Sequence, residues 1–173
     1  MKKCWILIAV LLLFTGCGAQ ETLETVSDVY AQPVSAAIRQ VILDVPQDAS
    51  VEVLQSADAG KIYLCDGYTV TVQTMAAGDL DKTLRAVTGY ARENLDVLQT
   101  RQGDLKRYEC VWTAAGEAQT QIGRACVLDD GAYHYVVTAM VGESLSGDMT
   151  EVWKNLFDSF RLVGADVDLN TGS

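Results

Sequence analysis

The sequence predicts an α+β domain: an antiparallel β-sheet with two packed helices. Three observations carry this reading. Alternating apolar and polar runs recur from Gln40 to Val141, joined by short turns such as Asp66-Gly67 and Asp130-Gly131. A helical stripe begins at Asp79, and a broader one runs from Met149 to Phe160. Such tight connections build hairpins, because a parallel pair needs a long crossover.

Each element has its own signal. Gln40 to Val45 is a short strand run ended by Pro46, and Val51 and Val53 alternate with Glu52. Ile62 and Leu64 alternate with Tyr63 and Cys65. Asp66-Gly67 then supplies a two-residue turn, since glycine accepts a positive φ. Tyr68, Val70 and Val72 alternate with Thr69, Thr71 and Gln73, so one face of that strand is wet. From an N-cap at Asp79, the residues Leu80, Leu84, Val87, Ala91 and Leu95 recur at helical spacing, interrupted at Gly89. Val97 to Thr100 is a short strand. Leu105 to Thr113 and Thr120 to Leu128 flank a loop containing Gly116. Tyr133 to Val141 is largely apolar on both faces, as in a strand covered on both sides. In SGDMTEVWKNLFDSF, the residues Met149, Val152, Trp153, Leu156, Phe157 and Phe160 form one wide apolar helical face. Asp148 and Glu151 make a capping-box-like start, and Arg161 suits the helix C-terminus.

This order of hairpins, a helix, a three-strand meander and a closing helix ending NLFDSFRLV resembles the PsbP-like α/β/α sandwich family. That fold also includes Mog-type import factors and DcrB-like lipoproteins. The likeness covers about residues 40–163 and implies a protein that binds or assembles other proteins rather than a catalyst.

The chain start has a different logic. Lys2 and Lys3 precede ten apolar residues, Trp5 to Phe14, and then Thr15-Gly16-Cys17. A run of ten is too short to span a bilayer but fits the apolar segment of an export signal. The segment resembles a bacterial lipoprotein signal, with Phe14 standing where that family usually has leucine. The resemblance implies cleavage after Gly16, acylation of the Cys17 sulfur, and a lipid bilayer partner outside the cytoplasm. On this expectation residues 1–16 are a signal peptide and 17–39 a lipidated cysteine and tether. Residues 40–163 are then the domain and 164–173 a polar tail.

Composition narrows the partners. The net charge is −10 and becomes −12 once Lys2 and Lys3 are lost. So acidic a body repels nucleic acid. Cys4 falls in the leader, which leaves Cys65, Cys110 and Cys126 in the body without a Cys-x-x-Cys pair. One disulfide is open to them outside the cytoplasm. Cys110–Cys126 is the preferred pairing, and it needs a loop centred on Ala118 so that the two stand opposite; otherwise both are buried free thiols.

Three further groups are candidates for chemistry. His134 is the only histidine. With a two-residue Asp130-Gly131 turn, Cys126 faces Tyr135 and His134 points to the other side of the sheet. With a three-residue Asp129–Gly131 loop, Cys126 and His134 stand opposite each other and a thiol–imidazole pair becomes reachable. Tyr108, Trp112 and Tyr135 form either an aromatic partner surface or core under a helix. Asp129 and Asp130 read as turn residues, and Asp79 and Asp81 as helix-start charges, because no calcium-loop spacing surrounds them. No Gly-x-Ser-x-Gly elbow, phosphate-binding glycine loop, His-Glu-x-x-His helix or cofactor signature is present.

The expected function is a membrane-tethered, non-catalytic binding or assembly module with an envelope protein partner. The alternatives are a small-molecule or ion-binding lipoprotein, and a hydrolase using His134.

Overall fold

A computed structural model describes residues 37–54 and 59–164. The leader, Cys17, most of the tether and the tail after Gly164 lie outside the described residues. Among the described residues nine strands and two α-helices follow in order. They are β1 (Gln40–Ile42), β2 (Ser50–Leu54), β3 (Ala59–Leu64), β4 (Tyr68–Ala76), α1 (Leu80–Thr88), β5 (Leu98–Gln102), β6 (Leu105–Ala115), β7 (Thr120–Asp129), β8 (Tyr133–Gly142), α2 (Thr150–Ser159) and β9 (Arg161–Val163). Seven strands form one antiparallel sheet in the order β2-β3-β4-β8-β7-β6-β5, and β1 pairs with β9 in a separate two-stranded ribbon.

Strand alternation sorts side chains onto two faces. On one face, Val70, Cys126, Leu128, Tyr135, Val137 and Ala139 pack beneath Trp153, Leu156, Phe157 and Phe160 of α2, with Val41, Leu43 and Leu162 of the ribbon alongside. On the other, Tyr108, Cys110, Trp112, Ala125, Val127 and Val136 pack beneath Leu84 of α1, joined by Leu80 and Val87. The result is an α/β/α sandwich. β8, central in the sheet and apolar on both sides, supplies buried residues to both cores.

The hairpin turns set these faces. β3 and β4 turn at Asp66-Gly67, closed by a Cys65 N–H to Tyr68 carbonyl bond of 3.0 Å, with Gly67 at φ +78°. β7 and β8 turn one residue later than predicted, at Gly131-Ala132, where Gly131 takes φ +89°. Asp130 flanks the turn, its N–H bonding the Tyr133 carbonyl at 3.3 Å. β6 and β7 turn at Glu117-Ala118.

α1 starts as predicted, with the Asp79 side chain accepting from the Asp81 N–H at 3.0 Å. It stops at Thr88 rather than continuing to Leu95. Gly89 takes φ +79° and its N–H bonds the Arg85 carbonyl at 2.9 Å, an αL helix end. Leu95 still packs on the same core as Leu84, from a 3₁₀ turn at Arg92–Asn94 and the segment after it. The apolar stripe is real, but it is delivered by two segments.

Gly123 of β7 is fixed by a neighbour. A Cβ there meets the indole of Trp112, and Met140 Sδ at 2.6 Å. Trp112 lies opposite Gly123 in the β6–β7 register and fills the space a side chain would take. Gly123→Ala should therefore cost about 1–3 kcal/mol through overpacking. Gly147→Ala, with nothing within 4 Å of its Cβ, should change stability by less than about 0.5 kcal/mol. Urea unfolding of the two variants checks the contrast.

Candidate functional site

The sequence-predicted site residues are not brought together. β6 and β7 place Glu109 opposite Cys126 and Cys110 opposite Ala125. That is one residue away from the register a Cys110–Cys126 bridge requires. A one-residue change flips every side chain to the other face, so Cys110 lies in the α1 core and Cys126 in the α2 core. Both thiols are free, which corrects the disulfide expectation. Burial pushes the Cys126 thiol up to about 12, far from the reactive thiolate range.

Of the two readings of the aromatic residues, the structure gives core rather than partner surface. Tyr108 and Trp112 are buried under α1, and Tyr135 is fully buried on the opposite face. Tyr135 uses its hydroxyl to receive the Arg39 N–H at 2.9 Å and to donate to Asp130 Oδ2 at 3.1 Å. Asp130 also accepts from the N–H groups of Ala132 and Tyr133, and Asp129 from that of Gly131, so both aspartates build the turn.

His134 shares the α1 face, away from Cys126, so the thiol–imidazole pair does not form. Its Nδ1 lies 2.8 Å from Thr83 Oγ1 of α1. Both side chains are buried, His134 with 2% of its surface exposed, and no substrate reaches them. Burial lowers the His134 pKa from its ordinary 6.5, opposed by Asp129 and Asp130 and assisted by Lys106. The imidazole is a neutral clasp between α1 and the sheet.

A second polar cluster sits on the α2 face. Glu109 receives Arg107 Nε at 2.7 Å and Arg124 Nη2 at 2.6 Å on its two oxygens. Burial pushes the Glu109 carboxyl up, but the bonds from Arg124 and Arg107 outweigh it and hold the group below its ordinary value. Arg107 also donates to Gln102 Oε1 at 2.7 Å and to the Phe157 carbonyl at 3.0 Å, and Arg124 lies 4.6 Å over the Phe157 ring. These charges are satisfied among themselves and serve to seat α2. Among the described residues no cluster of His, Cys, Asp or Glu is placed to hold a metal ion.

What the sequence does not reveal is a cleft between the ribbon and the β2–β4 wing of the sheet. Residues 39–43 form one wall, and β2, β3 and β4 form the floor and the other. Its volume is about 440 Å³, within the size range of small-molecule sites. Val41, Leu43, Val53, Leu54, Tyr63 and Val72 give it an apolar lining, and Arg39 and Lys61 give it two cations; among the described residues no acidic residue lines it. Lys61 stands opposite Val53 on one side and Val72 on the other, so its ammonium rises from an apolar row. Among the described residues Arg39 pairs with Asp130 and Asp104 at 3.7 Å, and Lys61 makes no ion pair. Val53 is 71% exposed on β2, an edge strand. The ribbon that makes the cleft includes β9, a strand absent from the sequence reading because a three-residue run has no periodicity to detect.

No protein-family model matches the sequence, and no curated protein matches it. Solved structures do. Cyanobacterial PsbP from Synechocystis sp. PCC 6803 superposes with a TM-score of 0.53 at 10% identity, over 76% of this chain and 96% of that one. LpqN of Mycobacterium tuberculosis, involved in cell envelope biogenesis, gives 0.49 at 12% identity over 73% and 84% of the chains. The Saccharomyces cerevisiae Ran-binding protein Mog1p gives 0.45 at 12% identity over 73% and 96%. The likeness to PsbP establishes the PsbP-like fold.

The two titrating clusters predict separate acid transitions. His134 is lowered in the fold, so the unfolded chain binds its proton first. Stability should fall as pH drops through about 6.5, by at most about 1.4 kcal/mol per pH unit. Glu109 is likewise lowered, from an ordinary 4.5. Its contribution is complete above that value and lost as pH falls through the native pKa. Urea midpoints between pH 8 and 3 should show both steps, with His134→Gln removing the upper one and Glu109→Gln the lower.

Proposed function

We propose that this protein is a non-catalytic binding module held at the outer face of a membrane by an acylated Cys17, and that it receives its ligand in the cleft beside β1. The cleft carries the reading: it is the place where apolar side chains, unpaired charge and an open strand edge meet. The one histidine, by contrast, is sealed in the core.

The tether rests on the leader. A positive start, ten apolar residues and Gly16-Cys17 suit export and lipid attachment. Among the described residues no helix is long and apolar enough to cross a membrane. Two acyl chains on one cysteine anchor stably where one binds only marginally. A cleft of about 440 Å³ favours a small ligand or a narrow segment of a partner over a broad protein face.

Two measurements test this. Protein from its native host should carry acyl mass on Cys17 and partition with membranes, and Cys17→Ser should release it into the soluble fraction. A photoreactive residue at Val53 should give a defined adduct in cells. The same residue at Leu98, 61% exposed on the opposite sheet edge, should give none. Equal adducts from both sites would place recognition elsewhere.

A further inference from the structure

We infer that the cleft beside β1 binds a single-chain anionic amphiphile, an acyl chain ending in a carboxylate. This rests on the proposed binding role and names its ligand class.

Charge is the first argument. The chain has 23 acidic and 13 basic residues, yet among the described residues the cleft lining has Arg39 and Lys61 and no acid. In so acidic a molecule a purely cationic lining selects anions and disfavours cations at the same place. The two cations are not equivalent. Arg39 already faces Asp130, whose side chain is 6% exposed, and Asp104. Lys61 makes no ion pair among the described residues.

Shape is the second argument. Lys61 lies in a cross-strand row between Val53 and Val72, and the neighbouring row holds Val51 beside Tyr63. A ligand that meets the ammonium therefore lays its remaining atoms over valine and tyrosine, with Val41 and Leu43 of the ribbon opposite. A compact anion such as inorganic phosphate satisfies the lysine but leaves the apolar walls wet. An uncharged chain covers the walls but leaves the lysine without a partner. An amphiphile does both.

Size is the third argument. At about 30 Å³ for each water-sized group, a volume of about 440 Å³ admits about fifteen heavy atoms. That matches one chain of middle length with its head group. The other large recess, about 500 Å³ beside the β3–β4 turn and Gly142, has no charged residue in its lining, so it lacks the head-group half of the site.

The test uses the full chain in zwitterionic nanodiscs with three diazirine probes of equal length: dodecanoic acid, dodecyl trimethylammonium and dodecanol. Adducts are mapped by peptide mass spectrometry. The carboxylate probe should label the segments holding Leu43, Val53 and Tyr63 about tenfold more than either other probe. That is the scale of one charge-assisted hydrogen bond. Lys61→Glu, an exposed position, should abolish this preference and leave the melting temperature unchanged. Equal labelling by all three probes, or a carboxylate preference that survives Lys61→Glu, overturns the proposal. If no probe labels the cleft while Val53 still captures one defined protein in cells, the ligand class is wrong and the binding role stands. If both experiments are silent, both fall.

Discussion

The position of everything on one face of this molecule depends on how the C-terminal end of α2 is seated. The last carbonyls of a helix have no partner within it. Here Arg107 donates to the Phe157 carbonyl and Gln102 Nε2 to the Phe160 carbonyl at 2.9 Å. Arg107 is itself held by Glu109 and Gln102, and Glu109 by Arg124, which lies over the Phe157 ring. Removing one member leaves a partly buried charge without its partner, which costs more than the pair contributes. The clamp fixes where the chain leaves α2. It passes Phe160, enters β9 and pairs at once with β1. Ser159 adds a second tie, its Oγ accepting from the Asp44 N–H at 2.9 Å. The cleft wall is therefore set by a salt cluster toward the other end of the same sheet face.

The other face has a simpler lock. His134 and Thr83 join α1 to β8, and Gly123 lets the indole of Trp112 lie across β7. The faces meet in β8, whose residues alternate between them, and neither lock touches the other. One lock is neutral at ordinary pH because burial keeps the imidazole uncharged. The other is ionic. This division follows from what each partner offers: a threonine hydroxyl on α1, and bare carbonyls at the end of α2.

Strand parity was the most legible property in the sequence, and exact register the least. The β7–β8 turn lies one residue later than Asp130-Gly131 implies. Yet Cys126 and His134 still fall on opposite faces, because moving a two-residue turn by one position shifts the pairing by two and preserves parity. The β6–β7 hairpin shows the converse. A half-residue displacement of its centre, from Ala118 to Glu117-Ala118, takes Cys110 and Cys126 from facing one another to facing away. Periodicity within a strand carries no information on that half step. α1 was legible at its start, where Asp79 has a local side-chain bond, and less so at its end. There the apolar pattern runs past Gly89 because two segments feed one core. The cleft was not legible at all. It is made by β1 against β2–β4, and β1 is held in place by residues more than a hundred positions away.

That the cleft lies at a sheet edge follows from geometry. Seven strands at about 4.8 Å spacing span about 29 Å. One helix about 10 Å across and a two-stranded ribbon cover about two-thirds of that width. A sheet so covered leaves apolar side chains showing at both ends, and it does: Val51 and Val53 at one, Leu98 and Val111 at the other. The two ends differ in charge. Near Leu98 and Val111 the exposed surface meets Glu109 and Arg124, which already neutralise each other, and Asp96. Near Val53 it meets Lys61, and the ribbon rises beside it to make a wall. An uncovered edge becomes a site only where uncompensated charge and a second wall coincide. In this fold the path of the chain from α2 through β9 to β1 brings them together at one edge alone.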